Sequence, residues 1–110
     1  MSERIEQYSV YWVDLNPTKG AEINKTRPCV VISPSEMNKH LQTIIIAPVT
    51  SRGREGYPTR LRFKVKTLEG WIVLDQIRAS DRRRLCEKIG DLNATEVQIV
   101  KSIIKEMLVD

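Results

Sequence analysis

The sequence predicts a mainly β (α+β) fold: a small β-barrel with short helices and a C-terminal helix, in one domain over residues 1–110. Two observations predict it. At least five short runs of β-branched, aromatic or alternating residues are separated by Pro-, Gly- and Asn-containing turns. Sustained helical periodicity appears only at the C-terminal end. A chain of 110 residues builds only one core, and strands this short hide their edges best in a barrel, SH3-like or OB-like.

The first strand is read over 9–15, where Val10, Tyr11, Trp12 and Val13 favour a pleated, half-buried surface. Asn16-Pro17-Thr18-Lys19-Gly20 ends it with turn chemistry, and 18–27, poor in apolar residues, is expected to form a polar loop. Pro28 is expected to open a second strand over 29–33, and Pro34 to end it before a short helix over 35–41. Thr43 to Val49 is the most β-prone stretch, with Pro48 predicting an edge or bulge near its end. After a Gly/Arg loop over 50–58, Leu61, Phe63 and Val65 alternate with Arg60, Arg62, Lys64 and Lys66. Trp71 to Leu74 reads as another buried strand, Ser80 to Leu85 as a capped short helix, and Cys86 to Ile89 as a last brief strand. In the terminal helix Asn93 and Glu96 form a capping box, ahead of a stripe of Val97, Val100, Ile103, Ile104, Met107 and Leu108.

The charge pattern points to a partner. Residues 50–66 carry six cations against Glu55, a balance of +5, whereas 85–110 carry a balance of −2. One basic segment beside a mildly acidic one suggests a polyanion-binding surface next to a separate structural or pairing surface; an idle solvated face is the plainer alternative. No apolar run approaches the ~20 residues of a membrane span, and Met1 to Gln7 is polar with no signal-peptide core. The expectation is a cytoplasmic protein without a membrane partner. Cys29 and Cys86 are then buried fillers rather than a disulfide. With His40 as the single histidine, neither a metal site nor a cofactor is expected.

Several blocks together resemble the MazF/PemK/Kid toxins of type II toxin–antitoxin systems. They are Val10 to Glu22, Arg27-Pro28-Cys29-Val30-Val31-Ile32-Ser33-Pro34, Asn38, Pro48-Val49-Thr50-Ser51, Gly56-Tyr57-Pro58 and Leu74-Asp75-Gln76. They fall in the family's order and spacing across roughly residues 8–108. The resemblance implies an SH3-like barrel, a homodimer, and sequence-selective endoribonuclease action on single-stranded mRNA. It also implies neutralisation by an antitoxin with an acidic, extended C-terminal segment. It puts catalysis on Arg27 and Thr50 with Glu22 in the adjoining loop. Candidate binding residues are Lys19, Lys25, Ser51, Arg52, Arg54, Tyr57, Asp75, Gln76 and Arg78. Two departures matter. One branch has a histidine at Ala21 and an arginine at Val73, so that branch's acid and stabilising roles do not transfer. Tyr8-Ser9 also replaces the family's usual Gly-acid start.

The chemistry suits these residues. When the 2′-OH attacks its own phosphate, the products are a 2′,3′-cyclic phosphate and a 5′-OH. The enzyme must stabilise the phosphoryl oxygens and move two protons. Arg27 is planar, cationic and permanently protonated, so it grips two oxygens and is no base. Thr50 can donate to phosphate or orient the 2′-OH, and Glu22, or Asp75, can accept a proton. Plainer roles remain open: Arg27 pairing Glu22, Thr50 as a strand-end hydroxyl, Asp75 capping a turn, Trp12 in the core or a dimer contact. Tyr57 is the stacking candidate. Arg82, Arg83 and Arg84 form either a solvated patch or a site for RNA phosphates or antitoxin acids. Two other functions compete: a non-catalytic nucleic-acid-binding barrel, and a toxin of gyrase-poison type on a similar barrel.

Overall fold

The computed structural model describes residues 4–15, 26–51 and 58–109. Its elements are β1 (Ser9–Asp14), β2 (Thr26–Val31), α1 (Ser35–His40), β3 (Thr43–Thr50), β4 (Arg60–Val65), β5 (Leu68–Val73), β6 (Arg78–Asp81), β7 (Leu85–Asp91) and α2 (Ala94–Ile104). Single 3-10 turns follow β5 and β6, at Leu74–Gln76 and Arg82–Arg84. One sheet runs in the order β4-β5-β3-β2-β1-β7, with β6 added beside β3.

The strands alternate between two cores. Val10, Val30 and Ala47 stand opposite one another and join Val49, Phe63, Val65, Ile72 and Leu74 inside the curl, where Leu92 and Val100 close over them. Tyr11, Val13, Cys29, Val31, Ile44 and Ile46 point the other way and pack with Ile5. With apolar neighbours on both faces, β2 reads as the near-continuous apolar run expected of a buried strand. Ile44, Ile46 and Ile72 are wholly buried, each stabilising by about 1.5–3 kcal/mol relative to exposure.

The mainly β fold with its C-terminal helix is as the sequence predicts, but the barrel is half-open. Among the described residues no ladder joins β4 to β7, the two ends of the path. Packing fills this gap. Gly90 on β7 lies so close to β4 that a Cβ there would meet Val65 Cγ1 at 2.6 Å. The Glu96 carboxylate accepts from the Asn93 N–H at 2.9 Å, completing the predicted capping box, and from the Lys64 N–H on the β4 edge at 3.4 Å.

Both strand prolines sit where a missing N–H is tolerated. β3 pairs with β6 through Ile46 and with β5 only from Val49. Ile45 turns its carbonyl to β2, so by the two-residue period Pro48 turns its nitrogen to the opposite side, into this change of partner. Pro28 does not open its strand as expected. It lies within β2 opposite Trp12, and its nitrogen faces the β3 side beyond the last β2–β3 pair, Cys29 with Pro48.

Other boundaries also shift. Arg78–Asp81 is a strand the sequence does not announce, because a four-residue element with Arg and Asp at its ends has no apolar period. Ser80 is therefore in β6, and the helix expected over 80–85 shrinks to Arg82–Arg84, capped by Asp81 accepting from the Arg83 N–H. Leu108 drops out of the α2 stripe and is exposed, and Cys86 is exposed rather than buried.

Candidate active site

The β2–β3 register, continued two residues past its last pair, sets Arg27 opposite Thr50. Thr50 in turn stands opposite Trp71 on β5. These strand ends enclose a cavity of about 530 Å³ lined by Arg27, Pro28, Val49, Thr50, Ser51, Leu68 and Glu69. Gly70 lets β5 come this close, since a Cβ there would lie 2.7 Å from the Thr50 carbonyl oxygen and 2.9 Å from Val49 Cγ1. Arg27 is solvent-exposed while Cys29, two residues on, is fully buried, so Arg27 stands at the rim of the core where it lines the cavity.

The PemK-like, MazF-like toxins of type II toxin–antitoxin systems match this chain over residues 6–108. The chain belongs to that family. Among solved structures, MazF from Deinococcus radiodurans shares 26% identity with a TM-score of 0.80, over 97% of this chain and 98% of the other. A MazE–MazF complex from that organism shares 25% identity with a TM-score of 0.83, over 97% of each chain. A mycobacterial endoribonuclease in complex with its cognate antitoxin shares 18% identity with a TM-score of 0.81, over 94% of each chain, and supports the fold alone.

In this toxin the sequence-predicted residues separate into three groups. Arg27, Thr50 and Ser51 come together in the cavity. Glu22, Lys19, Lys25, Arg52, Arg54 and Tyr57 lie outside the described residues. Asp75, Gln76 and Arg78 are exposed, on the turn after β5 and at the start of β6, and none lines the cavity. Asp75 accepts from Thr59 Oγ1 at 2.9 Å and from Arg60 Nε at 3.5 Å. Partial burial works to raise its pKa, but these hydrogen bonds and the Arg60 charge outweigh burial and hold the carboxyl below its ordinary value. A carboxylate so held is a weaker proton acceptor, which argues against Asp75 as the base.

The arginine run divides as well. Arg83 is spoken for by Asp81, at 2.9 Å from NH2 and 3.1 Å from Nε. Arg82 donates to the carbonyls of Asn38 and Leu41, at 2.8 and 3.2 Å. Arg84 donates to the Asp14 carbonyl at 3.2 Å. Arg82 and Arg84 tie the turn to the scaffold, whereas Arg83 pairs locally with the turn's own cap.

Sequence reasoning missed Glu69 and Trp71. Glu69 lines the cavity, and Trp71, expected within a buried strand, is only half-buried and joins neither apolar cluster. The β4 alternation could have found them, since Glu69 and Trp71 pair with Lys64 and Arg62 on its charged face.

Cys29 is fully buried in the outer apolar cluster. Burial pushes its thiol up to about 12, against the opposing pull of Arg78 and Arg27. At pH 8 a water-soluble thiol reagent is therefore expected to label the exposed Cys86 in the native toxin, and Cys29 only after denaturation. Labelling of Cys29 at a rate near that of Cys86 would show that the outer core opens readily.

Proposed function

We propose that this toxin is a sequence-selective endoribonuclease that cuts single-stranded RNA, mRNA in the cell, by attack of a 2′-OH on the adjacent phosphate. The meeting of Arg27 and Thr50 in one open cavity carries the reading. Arg27 grips two phosphoryl oxygens and stabilises the charge that grows on them at the pentavalent phosphorus. Thr50 donates to a phosphoryl oxygen or aligns the 2′-OH. Glu22, five residues before Arg27 in sequence, takes the 2′-OH proton. The nucleophile is supplied by the substrate, so the reaction needs no metal-bound hydroxide, and the reading is metal-independent. The P–O5′ bond breaks as the 2′-oxygen bonds to phosphorus, and the leaving 5′-oxygen takes a proton from water, which gives a 2′,3′-cyclic phosphate and a 5′-OH.

The outward residues of β4, Arg62 and Lys64, are exposed and extend the cationic surface available to the backbone. The partners in this reading are a second copy of the chain and an antitoxin whose acidic, extended C-terminal segment competes for the same cations. MazE–MazF complexes among the matched structures support an antitoxin partner. Action on mRNA places the toxin in the cytoplasm. Among the described residues no helix is long and apolar enough to cross a membrane.

The test is to incubate the toxin with a long single-stranded RNA in excess chelator and map the ends. Discrete cuts bearing cyclic or 3′-phosphate and 5′-OH ends are expected. RNA that is bound yet stays intact across many sequences would leave a non-catalytic binding barrel and end this reading. Cleavage only on adding a divalent cation would overturn its metal independence.

A further inference from the structure

The outer face of the sheet changes character along its length. Around β1, β2 and the start of β3 it carries the apolar cluster of Val13, Cys29, Val31 and Ile46. The same face continues, by cross-strand register, through Arg27 and Thr50 to Trp71 on β5 and Arg62 on β4. One step along, on the same face by the two-residue period, Glu69 stands opposite Lys64. The inward residues of these strands, Leu61, Phe63, Val65 and Ile72, belong to the inner core, and the outer face carries a half-buried indole, one carboxylate and two exposed cations, with Arg60 opposite the buried Val73 at its far end. With strands about 4.8 Å apart, Trp71 lies one strand from Thr50 and Arg62 two, roughly 10 Å across.

Glu69 is the anomaly. A cavity that binds a phosphodiester loses affinity from a carboxylate on its wall, and the Lys64 ammonium answers it only weakly, at 4.0 Å with both side chains exposed. A carboxylate earns such a place by accepting from donors, and RNA offers these on its bases. Guanine alone presents two adjacent donors, N1–H and the N2 amino group, which match the two oxygens of a carboxylate. Adenine and cytosine set one donor beside an acceptor, and uracil flanks its single donor with two carbonyls, so each places a lone pair against a carboxylate oxygen. Trp71, on the same strand two residues away, offers the flat apolar surface on which a splayed base stacks.

We propose that Trp71 and Glu69 form a base subsite beside the Arg27–Thr50 cavity, in which a guanine next to the cut stacks on the indole and gives its N1–H and N2–H to the carboxylate. Arg62 and Lys64 hold the phosphates of the strand that crosses β4. This rests on the ribonuclease reading and names the base that the site selects.

The experiment compares cleavage of an RNA library by wild-type toxin, Glu69→Gln and Trp71→Leu, followed by single substrates with inosine in place of the selected guanosine. Wild-type cuts are expected beside guanosine. Inosine, lacking the N2 amino group, should lower kcat/KM about tenfold or more. Glu69→Gln presents one acceptor and one donor, and should shift preference from guanosine to adenosine or cytidine by roughly tenfold to a hundredfold while still cutting. Trp71→Leu should raise KM at every site with its base preference kept, and guanosine 3′-monophosphate should quench tryptophan fluorescence less in that variant. Unchanged base preference in Glu69→Gln overturns the proposal. So does an equal loss of rate at every sequence with the loss of an ionisation from the pH profile, since Glu69 would then be moving a proton. Wild-type toxin that cuts no RNA would instead defeat the ribonuclease reading itself, a result separate from either.

Discussion

Arg27→Ala is expected to lower RNA cleavage by about a hundredfold to a thousandfold while leaving the fold intact. The magnitude follows from the task. One preorganised donor aimed at developing negative charge is worth about 2.7–4 kcal/mol of transition-state stabilisation, and Arg27 supplies a full cation with paired N–H groups. Its side chain is exposed at the rim of the cavity, so truncation removes no core volume and stability should change by less than about 0.5 kcal/mol. RNA affinity should fall only a few-fold, because one phosphate contact among several is lost. Arg27→Lys keeps the charge but not the planar fork, and should recover part of the rate. Single-turnover cleavage and filter binding measured together decide the matter. If binding and cleavage fall by the same factor, Arg27 holds substrate and does not stabilise the reaction.

Asn38→Ala is expected to cost about 3 kcal/mol of stability and to lower Tm by about 10 °C or more. Asn38 has no place in the cavity, although it belongs to the blocks that mark the family. It is 1% exposed. Its Nδ2 donates to the Ile5 carbonyl at 3.0 Å and the Ser33 carbonyl at 3.1 Å, and its Oδ1 accepts from the Ser33 hydroxyl. Its own carbonyl accepts from Arg82 at 2.8 Å. One side chain thus ties the N-terminal segment and the end of β2 to α1, while its backbone ties α1 to the turn after β6. Alanine leaves several buried polar groups unpaired, each costing about 1–3 kcal/mol where water cannot enter. Urea unfolding of the variant is the measurement. A loss under about 1 kcal/mol would mean that water replaces the amide and that the network is less dry than its burial indicates. Cleavage per folded molecule should be unaffected, which separates this asparagine from Arg27.

Much of the fold was legible in short-range patterns. β1, β3, β4 and α2 were readable because alternation and capping are local: Leu61, Phe63 and Val65 against Arg60, Arg62 and Lys64, or Asn93 with Glu96, state their roles within a few residues. β6 was not legible, because its place beside β3 depends on Ile44 pairing with Ser80 and Ile46 with Arg78. The half-open barrel was not legible either. Whether β4 meets β7 is settled by what fills the gap, here Val65 against Gly90 and Glu96 against the Lys64 N–H. Arg27 and Thr50 were found through the resemblance, but their meeting is a matter of register. Asp75 was the sequence's second option for the base after Glu22, and Thr59 and Arg60, distant in the chain, divert it.

The sequence by itself determined that this is a small mainly β domain with a capped C-terminal helix, one basic strand face and the family's blocks in order, because each property is written in spacing and residue type. Only the tertiary structure decided which of those residues share a cavity, that Asn38 works for the scaffold, and that Glu69 and Trp71 stand beside Arg27 and Thr50. The physical reason is that side chains meet through strand pairing between segments some 20 to 40 residues apart, and a shift of one residue in that pairing would turn every one of them to the opposite face.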